Sequence, residues 1–469
     1  MSRPEHQGPP PVSSGHTWRL SLILLALAAG IRLYRLDQGF WYDEIWALKF
    51  FHMSWYEQLT RMPLPNHHPL YSLPAKACIL VLGEKEWTAR LPAFICGSLT
   101  PPLLFMMGSR WVSERAGLMA GLFMSVAAEP VWYSQDARGY AGAIFFSLAA
   151  THLFAGLAKE FSGRRCALYV LAGAAAMYSH LYTGAVVAAH LLIAAYLAGR
   201  SRGAKKEVLL AAAAMATLVA AFLLYAPMLH DLIAYTRTAG QKTAGRALDP
   251  AFIAELLVGW SAGRSHPWLS LPLIAGAAAG IYPLGRRSGI VGAAWLLSLG
   301  LAVLAPWVLG TFVYARFYSF AMPGFYLSLA AGLDQARARL KWPRAAGALA
   351  AGAAAVLLIT GLVPYYLYGK QGLRPAAEWV RHNAPGRRVL AAGMIGEVFG
   401  YYMPPARAVP RDLKLTAAML DHAAVVTSYE STVGEEQKKV MERLCATAAV
   451  FPSAGDPQLE VKVYLCSPP

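Results

Sequence analysis

Two acidic residues stand side by side, Asp43 and Glu44, inside the aromatic stretch Phe40-Trp41-Tyr42-Asp43-Glu44-Ile45-Trp46. A carboxyl group sheltered by apolar neighbours has its charged form disfavoured, which suits it to act as a general base. Trp and Tyr also gather at membrane surfaces for interfacial reasons alone. That plainer reading covers Trp41, Tyr42 and Trp46 but not the carboxylates. A second polar stretch reads Tyr133-Ser134-Gln135-Asp136-Ala137-Arg138-Gly139-Tyr140, and a third contains Tyr314-Ala315-Arg316. As a structural loop, Asp136 would start the next helix and Arg138 would pair with it. As a binding loop, the guanidinium fork of Arg138 or Arg316 would hold the oxygens of a phosphate in pairs. His67 and His68, followed by Pro69, add one more candidate donor in His68, although isolated histidines are more often structural. The five cysteines show no zinc or redox spacing, and no external cluster has persuasive metal-ligand spacing, so no metal ligand is assigned. A divalent cation remains open as the one cofactor to test. Cys445 and Cys466 are free to pair if their compartment is oxidising.

The elements that must position these residues follow from composition. The chain has 469 residues, 57% hydrophobic and only 14% charged, against about 25% charged in an ordinary soluble domain. An ordinary cytosolic enzyme is excluded. Apolar runs of roughly 17 to 25 residues, long enough to cross a hydrocarbon core as helices, fall at 18–36, 90–109, 116–132, 140–158, 166–181, 183–199, 208–228, 268–284, 290–311, 319–333 and 346–367. Eleven spans are expected. Only Ser179 to Tyr182 separate the fifth from the sixth, so ten or twelve stay open.

The formal net charge of +16 first suggests nucleic acid. Its distribution says otherwise. Fifteen Lys and Arg between Arg110 and Arg344 occupy alternate short loops, whereas the opposite short loops hold only Arg138 and Arg316. Basic residues beside spanning helices stay in the cytoplasm. The amino terminus is therefore expected inside, and 37–89, 229–267 and 368–469 outside. The excess charge reports orientation and leaves no case for a nucleic-acid partner. Arg138 and Arg316 defy the pattern, which points each toward a specific anion, a lipid-borne phosphate at the membrane face. A signal peptide ending near Ala26-Leu27-Ala28 is the competing reading of the first run.

Three regions result: a disordered cytoplasmic tail over 1–17 containing Pro9 to Pro11, a membrane module over 18–368, and an external domain over 369–469. In the last, helices at 375–383 and 435–444 alternate with strands at 388–392, 423–428, 448–451 and 461–466, the pattern of a small α/β domain. It carries no glycine-rich phosphate loop and is given a supporting role.

Trp41-Tyr42-Asp43-Glu44, His67-His68-Pro69-Leu70, Tyr133 to Tyr140 and Tyr314 to Pro323, in that order, resemble the GT-C glycosyltransferases. The likeness is to their protein-O-mannosyltransferase and aminoarabinose transferase-like group. It covers the membrane part; the tail is similar only in type. The resemblance implies a polytopic α-helical GT-C membrane protein of the cytoplasmic (inner) membrane with its active site outside. It implies a polyprenyl-phosphate-linked sugar as donor, a lipid, glycan or protein hydroxyl as acceptor, and transfer of a hexose or pentose with inversion. Asp43 matches the family's catalytic base, and Glu44 beside it is grouped with it as a catalytic residue. Arg138 and Arg316 would stabilise the leaving phosphate, and His68 falls where relatives place a histidine or lysine near it. Tyr42, His67, Gln135 and Asp136 are placed to orient sugar or acceptor. Aminoarabinose transferases usually show a lysine before paired prolines where this chain has His-His-Pro, a departure that argues mildly against an aminoarabinose donor. A polytopic transporter or lipid-linked-sugar flippase is the alternative, but it calls for ionisable groups near mid-membrane, where His152 and His190 are the exceptions. A sugar polymerase or oligosaccharide ligase is a third reading.

Overall fold

The structure is a computed structural model describing residues 14–64, 67–201, 203–239, 247–263, 266–309, 313–454 and 456–467. The Pro9 to Pro11 tail expected to be disordered lies outside the described residues.

Among the described residues, eight helices are long and apolar enough to cross a membrane: Gly15–Leu33, Glu86–Trp111, Tyr140–Lys159, Leu181–Arg200, Lys205–Ala234, Pro267–Arg287, Gly289–Val308 and Arg344–Asn383. The count of eleven read from sequence is not reached. The three other runs form helices Glu114–Val126, Gly163–Ser179 and Met322–Arg339. The run at 116–132 breaks at Ala127, whose backbone is extended. Pro130, three residues on, has no N–H to offer the Val126 carbonyl, and its ring crowds that carbonyl, so the first helix stops there. The second run yields only 17 residues before the extended His180. The third ends in a charged turn holding Asp334, Arg337 and Arg339.

Small residues let the helices approach. Pro267–Arg287 lies along Met322–Arg339, and a Cβ on Gly280 would stand 1.7 Å from the Ser328 carbonyl oxygen, the close backbone approach that small residues allow in membranes. The helices sort the charges by end. Glu86–Trp111 runs from Arg90 to Arg110, and Tyr140–Lys159 starts at the Arg138 loop and stops at a lysine. At the basic end Arg287 donates to Asp334 at 2.7 Å, and Ser113 Oγ donates to the same oxygen at 2.8 Å. The motif residues sit at the other end.

There a short helix, Tyr42–His52, opens on the paired acids. Asp43 and Glu44 fall in its first turn, where negative charge complements the helix N-terminus. A five-stranded sheet lies beyond it: β1 Arg388–Ala392, β2 Arg407–Val409, β3 Ala423–Thr427, β4 Cys445–Phe451 and β5 Val461–Cys466, in the order β2-β1-β3-β5-β4. β1 pairs in parallel with β2 and β3, and the other pairings are antiparallel. Side chains alternate across the sheet. Val389, Ala391, Ala424, Val426, Val461 and Val463 pack with Ala376, Ala377 and Val380 and with Phe40, Ile45, Leu48 and Phe51. One apolar cluster thus fastens the sheet to the helix that carries the acids. Cys445 and Cys466, opposite one another on β4 and β5, form a disulfide.

Candidate active site

Five segments meet around Asp43. It comes from the first turn of Tyr42–His52, Arg138 from the loop before Tyr140–Lys159, Arg316 from the turn Ala315–Ala321, His68 from the residue preceding helix Pro69–Leu82, and His180 from the link after Gly163–Ser179. Asp43 Oδ2 lies 3.1 Å from Arg138 Nη1 and 3.3 Å from Arg316 Nη1. Asp43 is 9% exposed and Arg138 2%. Arg138 Nη2 lies 3.3 Å from His68 Nε2, and His68 Nδ1 lies 2.8 Å from the Ser179 carbonyl oxygen. Arg138 Nε, Arg316 Nε and the Tyr140 hydroxyl are buried and meet no hydrogen-bond partner among the described residues. Buried donors are normally satisfied, so three of them around one carboxylate fit an anion with several oxygens.

Behind this cluster is a second one, built on ion pairs. The Arg90 fork grips Glu44, Nε to Oε1 at 2.7 Å and Nη2 to Oε2 at 2.6 Å. Glu44 also accepts the Ala137 and Trp41 N–H groups at 2.8 and 3.3 Å. Burial works to raise the Glu44 carboxyl, but the Arg90 and Lys370 charges outweigh it and hold the group below its ordinary value. Lys370 Nζ lies 3.0 Å from Asp136 Oδ1 and 3.6 Å from Glu44, and donates to the Gln135 carbonyl at 2.7 Å. Trp41 Nε1 donates to the same Asp136 oxygen at 2.8 Å. Burial raises the Asp136 carboxyl, with Glu44 adding to it and Lys370 opposing.

The remaining sequence candidates hold positions rather than reach into space. Gln135 donates to the Arg32 and Tyr34 carbonyls at 2.6 and 2.8 Å and accepts from the Tyr365 hydroxyl at 2.7 Å. His67 is buried against the Phe50 ring, 5.0 Å between centroids, and burial pushes its pKa down to about 4. Tyr42 sets its ring 5.7 Å from that of Tyr429, which comes from the turn after β3. Tyr429 adopts a left-handed backbone, φ 53°, uncommon for a bulky residue and a mark of local strain.

A cavity of about 490 Å3 opens beside the cluster. Trp41, Tyr133, Asp136 and Arg316 line it from the membrane module, Glu129 and Glu255 from two short helices, and Tyr429, Asp456 and Gln458 from the sheet module. Asp136 Oδ2 has no hydrogen-bond partner among the described residues. Arg316 both lines the cavity and holds Asp43. Among the described residues no group of three or more His, Cys, Asp or Glu is placed to hold a metal ion.

Sequence reasoning missed Lys370, Arg90 and Tyr429. Lys370 carried a usable signal: it is a basic residue directly after the last apolar run, on the side where Arg138 and Arg316 drew notice. Arg90 lies in the first turns of a span, and nothing local marked it as Glu44's partner.

No curated protein matches the chain. Residues 66–230 match the family described as Dolichyl-phosphate-mannose-protein mannosyltransferase. Among solved structures the chain is similar to ArnT from Cupriavidus metallidurans in the apo state, with TM-score 0.60 and 14% identity over 97% of this chain and 99% of that one. The same protein bound to undecaprenyl phosphate gives TM-score 0.59 and 13% identity over 96% and 98%. An Archaeoglobus fulgidus oligosaccharyltransferase in complex with Zn and sulfate gives TM-score 0.55 and 14% identity over 96% and 73%. The fold is therefore the GT-C glycosyltransferase fold, with a small C-terminal sheet.

Proposed function

We propose that this chain is a membrane glycosyltransferase that moves a sugar from a polyprenyl phosphate to an acceptor hydroxyl, with Asp43 as general base. The observation that carries this reading is one carboxylate gripped by two guanidinium groups whose Nε–H donors are buried without partners among the described residues. A phosphate entering the site competes with Asp43 for the same two forks. As Arg138 and Arg316 turn to the phosphate, the carboxylate is released toward the acceptor. The acceptor oxygen then forms a bond to the anomeric carbon from the side opposite the phosphate. The bond from that carbon to the phosphate oxygen breaks, its electron pair leaves with the phosphate, the configuration inverts, and the hydroxyl proton passes to Asp43. The two guanidinium groups, now on the phosphate, stabilise the charge that develops on the leaving oxygen, the electrostatic contribution that is usually the largest in such catalysis.

The matched family's description names a sugar on a polyprenyl phosphate, and one structural neighbour was crystallised with undecaprenyl phosphate. Both support the donor class. The gathering of basic loops at the far end of the bundle supports a site on the outer face of the cytoplasmic membrane, and the disulfide in the sheet agrees with an oxidising compartment. Glu44 is saturated by its partners and serves as the buried anchor of the Asp43 helix. Asp136, facing the cavity, orients sugar or acceptor. The sugar, a hexose or pentose, and the acceptor, a lipid, glycan or protein, are to be identified together by mass spectrometry of envelope glycans and glycoproteins. A strain lacking the protein should lose one sugar substituent, and the restored gene should return it. An unchanged envelope would overturn the proposal.

A further inference from the structure

We infer that His68 is a positioning residue that holds the Arg138 fork, and that it gives no hydrogen bond to the lipid phosphate. This rests on the reading of Arg138 and Arg316 as the phosphate site. A backbone carbonyl can only accept, so the 2.8 Å contact of His68 Nδ1 with the Ser179 oxygen puts the proton on Nδ1. A neutral imidazole has one donor and one acceptor. Nε2 is then a lone pair, and it faces Arg138 Nη2, which can only donate, at 3.3 Å. Both ring nitrogens are spent. Burial and the neighbouring Arg138 charge push the imidazole well below its ordinary pKa, which agrees with the neutral form.

The surroundings fix the ring. His180 stacks on it with centroids 5.3 Å apart and planes at 27°, and the Tyr140 ring meets it edge-on at 5.4 Å. Gly139 permits the approach, since a Cβ there would stand 2.4 Å from the Ser179 oxygen and 2.9 Å from His68 Cβ. Arg138 is thus held through Nη2 by His68 while Nη1 reaches Asp43, and its Nε remains unpartnered among the described residues. A fork clamped on one nitrogen presents the others at a set angle, the support that a binding residue needs from the layer behind it.

A phosphate ligand and an acceptor for arginine make opposite demands at position 68. Lysine serves the first and is repelled by Arg138 in the second. Glutamine serves the second, its amide N–H reaching Ser179 while its oxygen accepts from Arg138. The test is undecaprenyl phosphate binding to the purified full-length protein in detergent. Expected are H68Q within about threefold of wild type and H68K weakened about tenfold or more, the scale of a lost charge-assisted hydrogen bond. Wild-type or tighter binding by H68K, together with tenfold weaker binding by H68Q, would overturn the proposal. H68A in the R138A background separates direct from indirect action and does not depend on H68K folding. Binding no weaker than R138A alone is expected, and a further loss about as large as in the wild-type background overturns it. If R138A alone binds like wild type, the phosphate reading fails instead. The coupling of His68 to Arg138 is then read from melting temperatures of wild type, H68A, R138A and the double variant, where additive shifts would reject it.

Discussion

At the scale of single residues, two kinds of buried charge occur side by side and predict different losses. Arg138 and Arg316 have donors to spare, so their loss should be felt in ligand binding. Arg138→Ala and Arg316→Ala should each weaken undecaprenyl phosphate binding by about 10- to 100-fold, the worth of charge-assisted hydrogen bonds of roughly 1.5–3 kcal/mol. Arg286→Ala, at the opposite end of the bundle where the side chain rests on Tyr282, should leave it unchanged. Equal effects of all three would refute the phosphate assignment. Lys370 instead neutralises Asp136 and Glu44. Lys370→Met strands buried carboxylates and should cost about 3–5 kcal/mol of stability, read as a lowered melting temperature. Asp43, Arg138 and Arg316 could be picked out in the sequence because each breaks a rule for where its residue type belongs. The pairing of Glu44 with Arg90 could not, because 46 residues separate the partners and only packing of the first loop against the second long span joins them.

At the scale of elements, the site is a junction of loops at one end of the bundle, and its precision depends on their close approach. Gly139→Ala would drive a methyl group into the Ser179 carbonyl and the His68 ring. It should lower undecaprenyl phosphate affinity about as much as loss of Arg138 itself, with the helices intact by circular dichroism. The histidines give these loops a pH dependence. His67 has a folded pKa of about 4 against 6.5 when free, so the unfolded chain binds more protons between those values. Its contribution to stability is fully present above pH 6.5 and is lost as pH falls toward 4. His68, displaced in the same direction, acts with the same sign. Melting temperatures should fall steadily from pH 7 to 4.5, and less steeply in His67→Phe. The long apolar helices and four of the five strands were legible as runs and alternations. The broken run at Ala127 was not, because the apolar pattern continues across it and only Pro130 marks the break. β2, three residues long and paired on one side, left too short a pattern to read.

At the scale of the whole molecule, the sheet module does more than the supporting role that its sequence suggested. It lends Tyr429, Asp456 and Gln458 to the cavity and anchors the helix bearing Asp43 through a shared apolar cluster. The motifs of the membrane part were legible. The tail's share was not, because it arises from where two turns come to rest in space. Its compartment is testable by chemistry. The denatured, unreduced protein should titrate three thiols, Cys78, Cys96 and Cys166, and two more after reduction. Five at the outset would contradict an oxidising location for the sheet. The central claim is tested most directly by Asp43→Asn, which keeps the shape of the side chain and removes its capacity to take a proton. In a strain lacking the wild-type protein, a D43N variant that reaches the membrane and binds undecaprenyl phosphate should leave the envelope sugar missing by mass spectrometry. Full restoration of that sugar by D43N would contradict a general base at Asp43.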